Sequence, residues 1–154
     1  MISPTRVASP ALAALAIAVS GCGGGGGGGG ETLSKPQFQA RANAICKQFN
    51  TAVDKLGAPS SFEEIPTFTD KAVALSDAAL GKLDDLKPPE EFQDDWKQWL
   101  DYGSQLHDTA DELKDAAKNK DQAALKEAGA KADARDKKSD AIAVKLGLPT
   151  CAQG

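Results

Sequence analysis

Residues 36–56 read PQFQARANAICKQFNTAVDKL, and the spacing of their apolar side chains decides the fold class. Apolar residues recur at steps of three and four, at Phe38, Ala42, Ile45, Phe49, Val53 and Leu56. This spacing places them along one face of an α-helix. Ser34 is suited to cap that helix and Pro36 to its first turn, whereas Gly57 and Pro59 end it.

The same periodicity predicts three further helices, over residues 62–86, 89–117 and 122–146. Ser61 is a candidate cap for the second helix and Asp121 for the fourth. Short joints connect the segments, and no two-residue alternation or hairpin signal competes with them. We therefore expect an all-α domain over residues 36–154, an antiparallel up-down-up-down four-helix bundle.

Three residues stand out within the predicted helices. Pro66 either lies in the first turn of the second helix or divides a short opening turn from a helix beginning at Thr67. Gly103 falls where a large side chain is expected, and predicts close approach of a neighbouring helix, with a tryptophan as one candidate neighbour. Arg135 interrupts the fourth apolar stripe, and we expect its charged end in water.

The amino-terminal segment ends in Val19-Ser20-Gly21-Cys22, after the nine apolar residues 11–19. Nine residues are too few for a bilayer crossing, which needs roughly 20. The pattern instead predicts a secretory signal peptide over residues 1–21, and its last four residues resemble the lipobox of bacterial lipoproteins. That resemblance implies cleavage before Cys22 and acylation, with palmitate among the acyl groups; a signal peptide cleaved without lipidation is the alternative.

Residues 22–35 predict a tether rather than a folded element, because Gly23–Gly30 has no side chains to bury. Eight glycines span roughly 16 Å as a flexible chain. The whole chain carries a net charge of −4, and loss of Arg6 with the signal peptide makes the mature domain more acidic. This charge argues against binding nucleic acid or anionic lipid head groups.

Two cysteines remain once Cys22 is set aside. Cys46 and Cys151 form an even pair in a chain expected to be secreted, which favours a structural disulfide. A redox pair is the alternative, but the chain lacks the Cys-x-x-Cys spacing that tunes reactive thiols. Closing this loop could stabilise the fold by about 4–5 kcal/mol.

Three motifs together resemble a group of small uncharacterised bacterial lipoproteins: the early helical Cys46, the joint at Lys87-Pro88-Pro89, and the terminal stretch from Leu146 to Cys151. The resemblance spans nearly the whole mature chain. It implies a disulfide-clamped helical domain outside the cell membrane, and it transfers no catalytic residue.

Polar clusters give no cofactor or metal prediction. His107 is the single histidine, and a bundle metal site needs more nitrogen or thiolate ligands than the chain has to spare. A dense acidic patch surrounds the Pro-Pro joint, made of Asp84, Asp85, Glu90, Glu91, Asp94 and Asp95. Helix-dipole complementation and solubility account for it without a ligand.

The predicted third helix carries most of the large rings: Phe92, Trp96, Trp99 and Tyr102. Core packing is one interpretation. The other is a groove for an apolar ligand, since neighbouring helices rich in alanine leave space beside the indoles.

We therefore expect a monomeric lipoprotein held at the extracytoplasmic face of the cell membrane through acyl chains on Cys22. The first functional hypothesis is a non-enzymatic interaction module for another envelope protein. The alternative is a carrier of a small hydrophobic ligand within the bundle. An enzyme that uses carboxylates alone is a third and more remote hypothesis.

Overall fold

The computed structural model describes residues 31–153, and over that range the chain is helical with no strand. The signal peptide, Cys22 and the glycine tether predicted from the sequence lie outside the described residues. The helices are α1 (Lys35–Asp54), α2 (Ile65–Asp84), α3 (Gln93–Ser104), α4 (Leu106–Lys118) and α5 (Gln122–Lys145). A single 3₁₀ turn, Glu90–Phe92, precedes α3.

Helix α1 begins as its sequence predicts. The backbone N–H of Ser34 donates to the Gln37 side-chain oxygen at 3.0 Å, which satisfies a donor at the helix start. Phe38, Ala42 and Cys46 are buried along one face, four residues apart. After the helix ends, Gly57 adopts a φ of +69°, a conformation that favours glycine.

Helix α2 begins three residues later than predicted, at Ile65, and Pro66 lies in its first turn. Ser61 is therefore not the cap. The preceding turn is fastened by the Glu64 carboxylate, which accepts hydrogen bonds from the backbone and hydroxyl of Ser60 at 2.7 and 2.9 Å. These bonds hold the pKa of Glu64 below its usual value. These side-chain hydrogen bonds stabilise a turn in place of the first helical residues that the sequence predicted.

The predicted third helix is interrupted at Gln105, which separates α3 from α4. Gln105 has a ψ of −3°, outside the usual helical value. Two neighbours weaken the helix at this point: Gly103 has low helix propensity, and the Ser104 hydroxyl donates back to the Asp101 carbonyl at 2.8 Å. The prediction of one continuous helix over residues 89–117 was wrong in this respect.

Helix α5 is bounded by two clear signals. The Asp121 side chain accepts from the backbone N–H groups of Ala123 and Ala124, as predicted for a cap. At the other end Gly147 has a φ of +74°, and Leu148 donates its backbone N–H to the Ala143 carbonyl at 2.8 Å. This is the Schellman ending, and it turns Leu148 into the core, where it is fully buried.

Ion pairs between helices show which ones are neighbours. Asp70 of α2 contacts Lys114 of α4 at 3.1 Å, and Asp77 of α2 contacts His107 of α4 at 2.8 Å. Helices α2 and α4 are therefore antiparallel. Contacts between α4 and α5 include the pair of Glu112 with Lys131 at 3.0 Å. These pairs are exposed and contribute little stability individually.

The core lies at the end of the bundle where α1 begins and α5 ends. Its buried members are Phe38, Ala42, Cys46, Leu83, Phe92, Trp96, Trp99, Ala143, Leu146 and Leu148. The Phe38 and Trp96 rings meet edge to face with centroids 4.9 Å apart, a favourable aromatic geometry. The Leu33 N–H donates to the Lys87 carbonyl at 2.9 Å, which holds the segment before α1 against the Pro-Pro joint.

Candidate functional site

The disulfide predicted from the sequence is present and joins Cys46 of α1 to Cys151 of the carboxyl-terminal segment. Three side chains of α1 hold the same segment. Gln39 donates to the Leu146 carbonyl at 2.8 Å, Asn43 accepts from the Thr150 N–H at 3.0 Å, and Asn50 donates to the Thr150 carbonyl at 3.0 Å. The last residues are therefore laid along α1 by polar bonds as well as by the covalent link.

The structure divides the four predicted groove residues between two environments. Phe92 and Trp96 lie in the core, and neither lines the cavity beside the disulfide. Trp99 is also buried and stacks on Trp96 with centroids 5.1 Å apart, but it forms part of the cavity wall. Tyr102 is half-buried and lines the cavity too.

This cavity has a volume of about 210 Å³ and lies between the helices, beside the disulfide. Its apolar wall includes Leu80 and Leu83 of α2, Trp99 of α3 and Leu106 of α4. A cavity of about 150 Å³ lined by apolar side chains is large enough for benzene. The space therefore suits a molecule somewhat larger than one aromatic ring.

Small residues create the cavity. Ser76 and Ala79 of α2 and Ser139 of α5 line it with little side-chain volume. Gly103 allows α3 to approach α2 closely, because a Cβ added there would stand 2.6 Å from a methyl carbon of Leu80. The close approach predicted from Gly103 is confirmed, and its neighbour is a leucine rather than a tryptophan.

The polar wall belongs to α5 and was missed by the sequence reasoning. Arg135, expected in water, is only 14% exposed in its side chain; it binds Asp136 through Nε and Nη2 and donates from Nη1 to the Thr109 hydroxyl. Asp140 lies one turn further along and also lines the cavity. Burial, followed by the nearby charge of Asp136, raises the pKa of Asp140 above its usual value.

The single available signal for this wall was the charge of Arg135 within an otherwise apolar stripe. An interrupted stripe is compatible with a side chain that covers the surface, and equally with one that enters a polar cavity. Only the positions of Thr109 and Asp136 distinguish the two.

Two buried donors lack acceptors. The indole nitrogens of Trp96 and Trp99 are shielded from solvent and have no hydrogen-bond partner among the described residues. A buried donor without a partner costs roughly 1–3 kcal/mol. Trp99 lines the cavity, but its nitrogen is shielded and does not face that space.

The other residues singled out in the sequence lie on the surface. His107 is half-exposed and contacts Asp77. Within the acidic patch Asp95 pairs with Lys145 at 2.8 Å and Glu91 with Lys35 at 3.9 Å. In residues 31–153 no group of three or more His, Cys, Asp or Glu side chains is arranged to hold a metal ion.

A second, more open depression of about 860 Å³ lies between α1 and α2, and we call it the lysine groove. Its apolar floor includes Leu56 and Leu75. Lys47, Lys55 and Lys71 line it, and within the described part of the chain no carboxylate does so. The groove is thus cationic on a domain whose overall charge is negative.

Comparison with known proteins shows no match to a family model, to a curated protein or to a solved structure. Among residues 31–153, none of the helices is both long enough and apolar enough to cross a membrane.

Proposed function

We propose that the chain is a lipoprotein anchored through acylated Cys22 at the extracytoplasmic face of the cell membrane. Two features support this proposal. The stretch Val19-Ser20-Gly21-Cys22 resembles a lipobox. The Cys46–Cys151 disulfide is typical of proteins from oxidising compartments outside the cytosol. Antiparallel pairing of neighbouring helices further supports an up-down-up-down bundle as its anchored domain.

The anchor is tested by Cys22→Ser, which removes the thiol that accepts the acyl chain. The variant should move from the membrane fraction to the soluble fraction of its native host, because no lipid then holds it. Cys46→Ser serves as the matched control and should stay with the membrane. If Cys22→Ser remains in the membrane fraction, the proposed anchor is wrong.

Within that setting, the geometry best supports a binder or carrier of a small, largely apolar ligand. The observation that carries this proposal is the 210 Å³ cavity, which combines an apolar wall with a few convergent polar groups. That combination is typical of small-molecule sites. Cys46 and Cys151 line the cavity but are bonded to each other, so neither thiol is available as a nucleophile. We therefore propose binding without catalysis.

Native mass spectrometry of protein gently extracted from its own membrane tests this role. A co-purified small molecule at near-unit stoichiometry is expected. Ala79→Phe, which places a ring in the cavity, should lose that molecule, whereas Ala78→Phe on the exposed face of the same helix should retain it. Retention by the Ala79→Phe variant would contradict binding in the cavity.

The lysine groove favours a second role, as an interaction module for another envelope protein. Its lysines and apolar floor suit an acidic amphipathic helix, because charge complementarity and an apolar stripe are then satisfied together. Lys47→Glu with Lys71→Glu should abolish co-purification of such a partner after crosslinking on intact cells. The matched pair Lys97→Glu and Lys126→Glu, outside the groove, should leave it unchanged.

A further inference from the structure

The charges of the cavity wall are unequal, and this inequality bears on which ligand the cavity holds. Asp136 receives two hydrogen bonds from the Arg135 guanidinium, at 3.1 and 2.9 Å to one carboxylate oxygen. These two groups therefore neutralise each other. Asp140 has no cationic partner in the described part of the chain. It is partly buried, and the charge near it is the like charge of Asp136. One uncompensated carboxylate remains at the wall.

An anionic ligand fits this wall poorly. The Arg135 charge is already met by Asp136, and Nη1 is engaged by the Thr109 hydroxyl at 3.2 Å. An entering anion would also lie near the free carboxylate of Asp140, and like charges repel more strongly where water is partly excluded. A neutral ligand would leave that carboxylate without a counter-charge.

Aromatic rings also line the cavity. Trp99 and Tyr102 line the same space as Asp140. Aromatic faces attract ammonium groups through the negative potential of the π system, and a nearby carboxylate adds a direct ion pair. The remaining apolar wall, made by Leu80 and Leu106, suits a hydrocarbon body. The volume of the cavity, its free carboxylate and its aromatic rings thus all favour a small organic cation with an apolar body.

We infer that the cavity takes an organic cation, an ammonium group carried on an apolar body about the size of one aromatic ring, with Asp140 as its counter-charge. This inference rests on the proposed ligand-binding function and names its ligand class.

Three probes of matched shape test the inference: 2-phenylethylamine as the cation, 2-phenylethanol as the neutral form and phenylacetate as the anion. Binding is followed by calorimetry and by tryptophan fluorescence on the disulfide-bonded protein after removal of co-purified molecules. The amine should bind at least tenfold more tightly than the alcohol, and phenylacetate should bind most weakly. Equal affinity of amine and alcohol would overturn the inference.

Asp140→Asn separates charge from shape. It should weaken the amine at least fivefold and leave the alcohol unchanged, whereas Asp133→Asn, an exposed residue of the same helix outside the cavity, should change neither. Equal weakening of amine and alcohol would show a structural effect and contradict the assigned counter-charge. Asp140→Asn should remain folded by circular dichroism, since the carboxylate it replaces is disfavoured by burial.

The outcomes distinguish this inference from the proposed function beneath it. If amine and alcohol bind equally and Ala79→Phe blocks both, the cavity is a binding site without preference for cations. If none of the three probes binds, the cation inference fails. If, in addition, native mass spectrometry finds no co-purified molecule, the ligand-binding function fails with it.

Discussion

The two ends of the bundle bury side chains of different size. The end where α1 begins, which we call the aromatic end, buries Phe38, Phe92, Trp96, Leu146 and Leu148. The end formed mainly by α4 and the first half of α5, the alanine end, buries only alanines of those helices: Ala110, Ala116, Ala117 and Ala128. Larger apolar residues there, such as Leu113 and Leu125, stay partly exposed. The cavity lies between the two regions.

This difference in side-chain size indicates that the aromatic end contributes most of the stability of the bundle. Large buried side chains each contribute roughly 1.5–3 kcal/mol by leaving water, whereas an alanine methyl group contributes far less. The aromatic end also holds the disulfide and the polar bonds from α1 to the last residues. We therefore expect the aromatic end to determine global unfolding, and the alanine end to open locally at lower free energy.

The largest expected effect comes from the disulfide. The double variant Cys46→Ala, Cys151→Ala releases a constraint across 105 residues. It should lower the free energy of unfolding by about 4 kcal/mol, because the unfolded chain regains the entropy of an open loop. Urea denaturation measures this, and reduction of the wild-type protein is the matched control. If neither treatment changes the free energy of unfolding, the disulfide does not stabilise the aromatic end.

Truncation of the core compares the two ends directly. Phe38→Ala should cost about 3–5 kcal/mol, since it leaves a void against the Trp96 ring. Ala128→Gly at the alanine end should cost about 1–2 kcal/mol, mostly through helix propensity. Chemical denaturation of both variants gives the two values. Equal losses would contradict the division of the bundle into unequal ends.

Glycine substitutions test the packing around the cavity. Gly81→Ala meets nothing within 4 Å and should stabilise by about 0.5–1 kcal/mol. Gly103→Ala should fall about 1–2 kcal/mol short of that gain, because its methyl group must displace the Leu80 side chain. Thermal melts of the two variants provide the comparison. Equal gains would show that α2 and α3 are not in tight contact.

The smallest expected effect lies at the joint before α5. Lys120 has a φ of +53°, a conformation that costs a non-glycine residue energy, and its amine pairs with Glu63 at 2.8 Å. Lys120→Gly should be more stable than Lys120→Ala by about 1 kcal/mol, because both lose the exposed pair but only glycine relieves the backbone. Hydrogen exchange of the neighbouring α5 amides should follow the same order. Identical exchange would contradict the backbone argument.

Sequence patterns were sufficient for the all-helical class, for helices α1 and α5, and for the covalent link. The apolar spacing of residues 36–56, the cap at Asp121 and the helix-ending Gly57 are local signals, and the structure confirms each of them. Pairing of Cys46 with Cys151 was predicted because two cysteines remain once Cys22 is set aside.

Two kinds of feature were not predicted: helix bounds set by competing local side-chain bonds, and the cavity wall, which depends on contacts between distant residues. The interruption at Gln105 and the late start of α2 arise from side-chain bonds that compete with helix extension. The polar cavity wall depends on Arg135 reaching Thr109 of another helix, 26 residues away in sequence. A single sequence shows the residues of such pairs but not their proximity.

The link between Cys46 and Cys151 also has a consequence for proteolysis. Every peptide bond from residue 46 to residue 151 lies inside one covalent ring. A protease that cuts once at an exposed joint, such as residues 57–61, opens the ring without releasing a fragment. Both halves would stay connected to the amino-terminal segment, so shedding requires either a second cut or reduction of the bond.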